Sequence, residues 1–280
     1  MRGVFVLVMT LLIAGLPGVA VAREAPVGAR AGLLVDDATG RTLWSRRADE
    51  RRPVASITKV MTALVVLRAG HLDRTIRIAA AHRAYAVARH GSTAGLRVGD
   101  RLTARDLLAA LLLPSGCDAA AALADAYGPG RTQFVRRMNA TARALGLRNT
   151  RYTDAAGLPE PSGADTSFST ARDQVVLGRR ALRVPGFARI VRRARYIVPR
   201  TAAHGRYVWR TTNALLTTYR GATGVKTGFT RAAGYSLLFA ARRRGRTLVG
   251  IVLNSSRTDG GARFADARRL LDRGFTGRST

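Results

Sequence analysis

Cysteine, histidine and aromatic residues are scarce in this chain of 280 residues, and each scarcity excludes a class of structure or function. The single cysteine, Cys117, cannot form an internal disulfide, so packing must stabilise the fold. Aromatic residues make up 6% and do not alternate with basic residues, which argues against a surface that stacks nucleic-acid bases. The histidines are scattered without ligand spacing (His71, His82, His90 and His204), so neither a metal site nor a cofactor is expected.

Long apolar runs are also missing. The run over residues 4–16 is too short for a membrane helix, which needs about 20 apolar residues. Arg2 precedes this run, and Ala20-Val21-Ala22 follows it with the small-x-small pattern of a cleavage site. We therefore predict a secretory signal peptide over residues 1–22 and a domain over residues 23–280. That domain is expected to lie outside the cytoplasmic membrane without an anchor of its own.

The basic residues are nearly all arginine, since only Lys59 and Lys226 of the 47 are lysine. A guanidinium stays protonated at any workable pH, whereas an ammonium loses its proton in a dry site or beside other cations. A bias toward arginine codons would explain why lysine is scarce. It would not explain why both lysines lie in short motifs, Ser56-Ile57-Thr58-Lys59 and Lys226-Thr227-Gly228. We therefore expect the two lysines to take part in proton chemistry.

The hydrophobic pattern places strands at both ends of the chain and helices between them. Alternating apolar runs around turn residues predict hairpins over 31–45, 195–210 and 234–253. Longer apolar runs predict helices over 56–68, 102–113, 118–127, 132–145, 170–182 and 263–273, with a long ordered loop over 148–170. The simplest assembly is an α/β (α+β) fold in which both chain ends build an antiparallel sheet and a mainly helical lobe is inserted between them.

Ser56 and Lys59 are three residues apart at the start of a predicted helix, so their side chains face the same way and can meet. A serine hydroxyl becomes an effective nucleophile when a neighbouring base takes its proton, and a neutral Lys59 would be such a base. The helix start also directs free backbone N–H groups toward whatever Ser56 attacks. Alone, this S-x-x-K pattern is common on helices and predicts little.

Two further motifs carry polar groups that suit the same site. Ser115-Gly116-Cys117 follows a predicted helix at a turn, where a hydroxyl can be presented to a cleft. Lys226-Thr227-Gly228 precedes the last hairpin, and on an edge strand it would supply a positive charge, a hydroxyl and room for a ligand to approach the backbone. Each motif is weak alone, but the three in this order indicate one active site.

With these motifs the sequence resembles the serine-type D-alanyl-D-alanine carboxypeptidases, the low-molecular-weight penicillin-binding proteins. The resemblance covers about residues 31–275 and includes the stretches 55–64, 95–100, 212–216, 224–230 and 233–237. It implies a fold like that of β-lactamases and penicillin-binding transpeptidases. It also implies a secreted enzyme, expected to be a monomer, that removes the terminal D-alanine from peptidoglycan stem peptides and is acylated by β-lactam antibiotics.

Carried over to this chain, the resemblance implies that Ser56 is the acylated nucleophile, Lys59 its base and Ser115 the relay of a proton to the leaving D-alanine. No G-x-S-x-G motif offers another nucleophile. The second motif of the family usually ends in asparagine, and here it ends in Cys117. A thiol is a weaker hydrogen-bond partner than an amide, so acylation is expected to survive while the balance between hydrolysis and amine transfer is open.

The same resemblance assigns the substrate-binding groups. Lys226 would support the proton relay electrostatically, Thr227 would bind the terminal carboxylate, and Gly228 would let the substrate approach the strand. The N–H groups of Ser56 and Phe229 would form the oxyanion hole. Arg263 matches a family arginine that helps hold the carboxylate, although among so many arginines a plain surface charge is the alternative.

Three other functions remain open from the sequence. An amine acceptor in place of water would make the protein a D,D-transpeptidase. A class A β-lactamase needs a glutamate between the second and third motifs, where only Glu160 occurs and the usual asparagine does not follow it, so this function is disfavoured. A non-catalytic, cationic wall- or nucleic-acid-binding protein would explain the net charge of +30 but not the placement of the lysines. The charge itself favours anionic cell-wall polymers or lipid headgroups as partners, rather than nucleic acid.

Overall fold

Strands from both ends of the chain and helices from its middle make up the fold. The computed structural model of the protein describes residues 26–159 and 167–277, so the predicted signal peptide and Glu160 lie outside the described residues. In chain order the strands are β1 (Ala31–Asp36), β2 (Thr42–Arg46), β3 (Arg52–Pro53), β4 (Thr75–Arg77), β5 (Arg101–Thr103), β6 (Phe168–Ser169), β7 (Arg195–Val198), β8 (Tyr207–Arg210), β9 (Ala222–Gly228), β10 (Tyr235–Arg243) and β11 (Arg246–Ser256). The helices are α1 (Lys59–Ala69), α2 (Ala80–Ala88), α3 (Ala104–Leu112), α4 (Cys117–Tyr127), α5 (Arg131–Ala144), α6 (Ala171–Leu182), α7 (Pro185–Val191), α8 (Leu215–Thr218) and α9 (Ala262–Thr276).

The main sheet has five antiparallel strands in the order β2-β1-β11-β10-β9. The N-terminal hairpin pairs with the last strand, with Ala31 opposite Leu253, so the two chain ends meet in the middle of the sheet. The predicted sheet and its inserted helical lobe are thus confirmed. Strand β9, which carries Lys226, lies at the edge, where one side of its backbone is free of a neighbouring strand.

Both faces of the sheet are covered, which explains why its central strands are apolar throughout rather than alternating. Every residue of β1 is buried. On one face Leu34 and Phe239 pack in a cluster with Leu271 of α9. On the other face Leu33 and Leu238 belong to the large core shared with the helical lobe. The sheet is therefore a rigid support for the strand edge at β9.

Helix α1 forms the centre of the helical lobe, and its first eight residues are all buried. A helix that is apolar on every side is stable only when other elements surround it. Burying a side chain such as Val60, Met61 or Leu64 contributes roughly 1.5–3 kcal/mol each. This packing holds Lys59, the first residue of the helix, in a dry environment.

The structure adds elements that the sequence pattern did not predict. Helix α2 follows Ala79, which has no side-chain oxygen to cap the helix, and few of its residues are buried. Helix α7 is short and begins at Pro185, and the short strands β4 and β5 pair with each other. The predicted helix over 102–113 begins later, at Ala104, because Leu102 pairs with Ile76 in that small sheet. The hairpin over 195–210 is confirmed.

The predicted helix over 56–68 is also modified at its start. A 3₁₀ turn over Ala55–Thr58 precedes α1, so Ser56 lies one tight turn before the helix. The end is as expected, with Gly70 adopting φ 73°. Within residues 26–159 and 167–277, no helix is both long and apolar enough to cross a membrane.

Thr170 caps the start of α6, and this cap is expected to contribute to the stability of the protein. The hydroxyl of fully buried Thr170 accepts a hydrogen bond from the N–H of Asp173 at 3.1 Å, and Asp173 in turn accepts from the hydroxyl of Thr150 at 2.7 Å. Thr170→Ala is expected to lower the free energy of unfolding by about 1–2 kcal/mol, measured by urea denaturation. Exposed Thr258, whose side chain has no hydrogen-bond partner among the described residues, is the control. An equal effect of Thr258→Ala would contradict the capping role.

Candidate active site

The three sequence motifs meet where the helical lobe faces the free edge of the sheet. Ser56 lies in the 3₁₀ turn, and Lys59 begins α1. The Nζ atom of Lys59 lies 2.7 Å from the Oγ atom of Ser56, so the two side chains are in hydrogen-bonding contact. Ala55, just before the serine, adopts φ 48°, an uncommon conformation that turns the chain sharply into the helix.

The amine of Lys59 is the centre of this site. It is fully buried and has four possible acceptors. Besides Ser56 Oγ, these are Ser115 Oγ at 3.3 Å, Cys117 Sγ at 3.4 Å and the carbonyl of Ala156 at 3.1 Å. An ammonium has only three N–H donors, and a neutral amine has fewer. The amine therefore cannot donate a separate hydrogen bond to each of the four partners at once.

The second motif is held by the loop that passes over it. Ser115 adopts φ 67° between α3 and α4, which turns its hydroxyl toward Lys59. Ser92 holds this turn with two hydrogen bonds. Its hydroxyl donates to the carbonyl of Ser115 at 2.9 Å, and its carbonyl accepts from the N–H of Cys117 at 2.7 Å. Gly91 lies so close to Cys117 that a Cβ atom there would be 2.9 Å from Sγ. The thiol is fully buried.

The third motif, Lys226-Thr227-Gly228, lies on β9 and borders the turn that carries Ser56. A Cβ atom on Gly228 would lie only 2.9 Å from the carbonyl oxygen of Val54 and 3.0 Å from Ile57, so glycine is needed for the strand to approach the turn that carries Ser56. The hydroxyls of Thr227 and Thr212 are hydrogen-bonded at 2.6 Å. The edge strand and the nucleophile turn therefore form the two walls of one cleft.

Lys226 is a second buried amine close to Lys59. Its burial lowers the pKa of Lys226 well below the ordinary value for lysine, and the charge of Lys59 lowers it further. Within the described residues, its Nζ atom donates hydrogen bonds only to its neighbour in the chain, to the carbonyl of Thr227 at 3.1 Å and the hydroxyl at 3.5 Å. Lys226 thus gives up its proton at a lower pH than a free lysine.

Arg263 and Phe229 lie at the end of β9. Arg263 donates to the carbonyl of Gly228 at 3.3 Å and lies over the ring of Tyr235. Its Nε atom is buried without a hydrogen-bond partner among the described residues, and burial lowers the pKa of Arg263. Phe229 is 43% exposed and stacks on Tyr235 with ring centroids 4.1 Å apart. The arginine is therefore part of the cleft and carries an unused donor.

The loop around Asp154, which lies outside the three sequence motifs, also contributes to the site. Asp154 accepts hydrogen bonds from the N–H groups of Ala156 at 2.7 Å and Leu158 at 3.0 Å, and from the hydroxyl of Tyr85. Burial and the adjacent carboxylate raise the pKa of Tyr85, which keeps its hydroxyl protonated as a donor. These bonds aim the carbonyl of Ala156 at Lys59. Because every residue has a carbonyl, no side-chain pattern could have identified this contact.

The amide groups nearest the nucleophile are also available. The N–H of Ser56 belongs to the first turn of a helical segment, where backbone donors lack intrahelical partners. The N–H of Phe229 follows the last residue of β9. Neither N–H donates to an acceptor among the described residues. Both donors therefore remain available at the junction of the turn and the strand.

Comparison with known proteins gives the same assignment. The family model described as D-alanyl-D-alanine carboxypeptidase, peptidase family S11, matches residues 19–257. The D-alanyl-D-alanine carboxypeptidase of Streptomyces sp. strain K15 is 40% identical over 261 residues, which cover 89% of this chain and 88% of that protein. D-alanyl-D-alanine carboxypeptidase DacC of Escherichia coli K12 is 34% identical over 90% of this chain, which spans 62% of that protein's length.

The fold of this chain, like its sequence, is similar to that of a known protein. The crystal structure of the Streptomyces K15 DD-transpeptidase superposes with a TM-score of 0.83 at 38% identity, over 91% of this chain and all of that one. Because the family model covers most of the chain, and because relatives at 34–40% identity align over about nine tenths of it, the resemblance carried by the three motifs is confirmed. This chain belongs to the D-alanyl-D-alanine carboxypeptidase family and is a serine-type enzyme of that class.

Proposed function

We propose that this protein removes the terminal D-alanine from peptidoglycan stem peptides outside the cytoplasmic membrane, through an acyl-enzyme on Ser56. The observation that carries the proposal is the contact of 2.7 Å between the buried Lys59 amine and the Ser56 hydroxyl. A serine within hydrogen-bonding reach of a base is the usual arrangement of an activated nucleophile. Family membership supports the reaction class, and the geometry supports this choice of residues.

In the acylation step, Ser56 Oγ attacks the carbonyl carbon of the penultimate D-alanine while Lys59 takes the hydroxyl proton. The oxygen that becomes negative is held by the free N–H groups of Ser56 and Phe229, an interaction worth about 3–4 kcal/mol per donor in enzymes of this kind. When the intermediate collapses, the C–N bond breaks and the leaving amine needs a proton. Ser115, 3.3 Å from the Lys59 amine, can pass that proton on.

The terminal carboxylate of the substrate would be held at the end of β9. Thr227 offers a hydroxyl, and Arg263 offers its guanidinium, which lies beside Gly228 at the end of the strand. A guanidinium is well suited to this task because its planar donors match a carboxylate. Lys226 adds positive charge behind both groups when it is protonated. Binding of the carboxylate would favour the protonated form of Lys226. The charge of the substrate and the protonation of Lys226 are therefore coupled.

Transfer of the acyl group to an amine is the second candidate function, and Cys117 is the observation that favours it. Its sulfur lies 3.4 Å from Lys59, where the family usually has an amide. A thiol orients a neighbouring amine or water less firmly than an amide does. A structure similar to this one is that of a DD-transpeptidase. Hydrolysis and transpeptidation would share the Ser56 acyl-enzyme and differ only in the group that attacks it.

The nucleophile assignment is tested with benzylpenicillin. The wild-type protein is expected to gain the mass of one penicilloyl group on the peptide that contains Ser56, located by mass spectrometry after digestion. Ser56→Ala should abolish the adduct and reduce D-alanine release from a D-Ala-D-Ala peptide by at least about 10⁴-fold. The exposed Ser45→Ala is the control and should behave as wild type. An adduct on another residue, or rapid turnover of penicillin, would refute the proposal.

The loop around Asp154 gives a second test. Asp154→Asn replaces one of the acceptor oxygens with a donor facing Tyr85, so the carbonyl of Ala156 should lose its fixed position beside Lys59. We expect acylation by benzylpenicillin to slow by about 10-fold, corresponding to one well-formed hydrogen bond. Asp49→Asn, which removes an exposed partner of Arg172, should leave the rate unchanged. Equal acylation rates in both variants would show that the loop does not position the amine.

The lowered pKa of Lys226 predicts that the free energy of unfolding depends on pH. Because its pKa is lower in the folded protein than in the unfolded chain, the unfolded chain binds more protons between those two pKa values. The destabilisation caused by Lys226 is therefore complete below the lowered pKa and disappears as the pH rises to about 10.5.

Lys226→Met is thus expected to raise the free energy of unfolding by roughly 1–4 kcal/mol at acidic pH, with the gain shrinking toward alkaline pH. Denaturant unfolding over a range of pH measures this difference, and D-alanine release should fall in the same variant. Arg83→Met, which removes an exposed charge, is the control and should show no such trend. A gain that grows with pH would contradict the assignment.

A further inference from the structure

A groove lined by four arginines lies on the main sheet outside the catalytic cleft. Arg30, Arg46, Arg47 and Arg257 line this arginine groove, which has a volume of about 550 Å³. It is formed where β1 begins and where β2 and β11 end. No acidic residue lines it among the described residues. Four like charges around one depression repel each other, so the groove favours an anion.

The arginines of the groove differ from many others on the surface in lacking acidic partners. Elsewhere guanidinium groups pair with carboxylates, as in Arg172–Asp49, Arg179–Asp37 and Arg246–Asp36. In the groove, the side chains of Arg30, Arg47 and Arg257 are exposed and make no hydrogen bond or ion pair within the described residues. Their charges are therefore available to a ligand.

The fourth arginine and the backbone make the groove a built feature rather than a loose cluster. Arg46 donates from Nη1 to the carbonyls of Val27 at 2.6 Å and Ala29 at 3.0 Å, and its guanidinium lies over the ring of Trp44. The N–H of Arg30 donates to the carbonyl of Leu253 at 3.1 Å, which ties the rim to β11. The groove therefore keeps its shape without a ligand.

The floor of the groove contains an unused polar group. Ser255 lines it, and its hydroxyl is buried without a hydrogen-bond partner among the described residues. The carboxylate of Asp266 is buried next to Gly28, accepts from its N–H at 2.8 Å and pairs with Arg269. Asp259 is exposed and its carboxylate accepts from the N–H of Gly261. Neither carboxylate neutralises the four groove arginines.

The lining also restricts the kind of anion. Guanidinium groups bind phosphate oxygens in pairs of hydrogen bonds and suit phosphate better than an ammonium does. The lining has no aromatic side chain on which a nucleic-acid base would stack and no large apolar side chain that would enter a lipid layer. The volume exceeds that of one phosphate group. A flexible chain of phosphates that carries neither bases nor acyl groups fits these features.

We propose that the arginine groove binds a phosphodiester-linked polyol chain and so attaches the enzyme to an anionic wall polymer. The groove and the cleft open at the same end of the sheet. Gly228 at the end of β9 pairs with Ser236, and Tyr235 pairs with Ser256 of β11 at the groove. A polymer held in the groove would thus keep the catalytic cleft near the wall. This proposal does not depend on the chemistry at Ser56.

Binding of a deacylated poly(glycerol phosphate) to the full-length protein tests the proposal. The groove variant carries Arg30→Gln, Arg47→Gln and Arg257→Gln. The control variant carries Arg83→Gln, Arg136→Gln and Arg180→Gln, which removes the same charge from exposed arginines on α2, α5 and α6. At about 0.15 M salt we expect the groove variant to bind at least about 10-fold more weakly than the control variant. In the groove variant, the plot of log affinity against log salt concentration should be less steep by about 2.

Three further measurements distinguish the ligands. Poly-glutamate, a single-stranded DNA oligonucleotide, and phosphatidylcholine vesicles containing phosphatidylglycerol should each bind the two variants equally. D-alanine release from a soluble peptide should be unchanged in both variants, which separates this test from that of Ser56. Equal weakening of poly(glycerol phosphate) binding in both variants would overturn the proposal. So would a groove-specific loss of vesicle or DNA binding without a loss of polymer binding.

Discussion

The contact between the Lys59 amine and the Ser56 hydroxyl is the interaction on which the rest of the active site depends. It requires an amine in a fully buried position, and burying a polar group is costly unless hydrogen bonds satisfy it. The site meets this requirement with groups from separate parts of the chain, the hydroxyl of Ser115 and the carbonyl of Ala156. The apolar packing of α1 contributes the stability that offsets the remaining cost.

A second constraint is the close approach of the edge strand to the nucleophile turn. Gly228 permits it because any side chain there would collide with Val54. The same approach buries Lys226 beside Lys59, and burial first and the neighbouring Lys59 second lower the pKa of Lys226. Close packing at this glycine therefore has an electrostatic consequence, since it brings together two buried amines. An arginine in either place would stay charged and would not allow this.

The distribution of charge separates two roles of the basic residues. The two lysines are buried in the cleft, and burial lowers the pKa of Lys226. The arginines are found mainly at the surface, where several pair with carboxylates and others, such as those of the arginine groove, have no acidic partner within the described part of the chain. Such a division is expected when proton transfer and anion recognition are assigned to different side chains.

By itself the sequence determined the family, the sheet built from both chain ends, the long helices and the three motifs. These are local patterns of hydrophobicity and of short residue strings, and they do not require knowledge of distant contacts. The tertiary structure alone revealed helix α2, the 3₁₀ turn before α1, the support of Lys59 by the carbonyl of Ala156, and the arginine groove. Each depends on groups far apart in the chain, and backbone carbonyls and converging surface charges leave no recognisable pattern in the order of the residues.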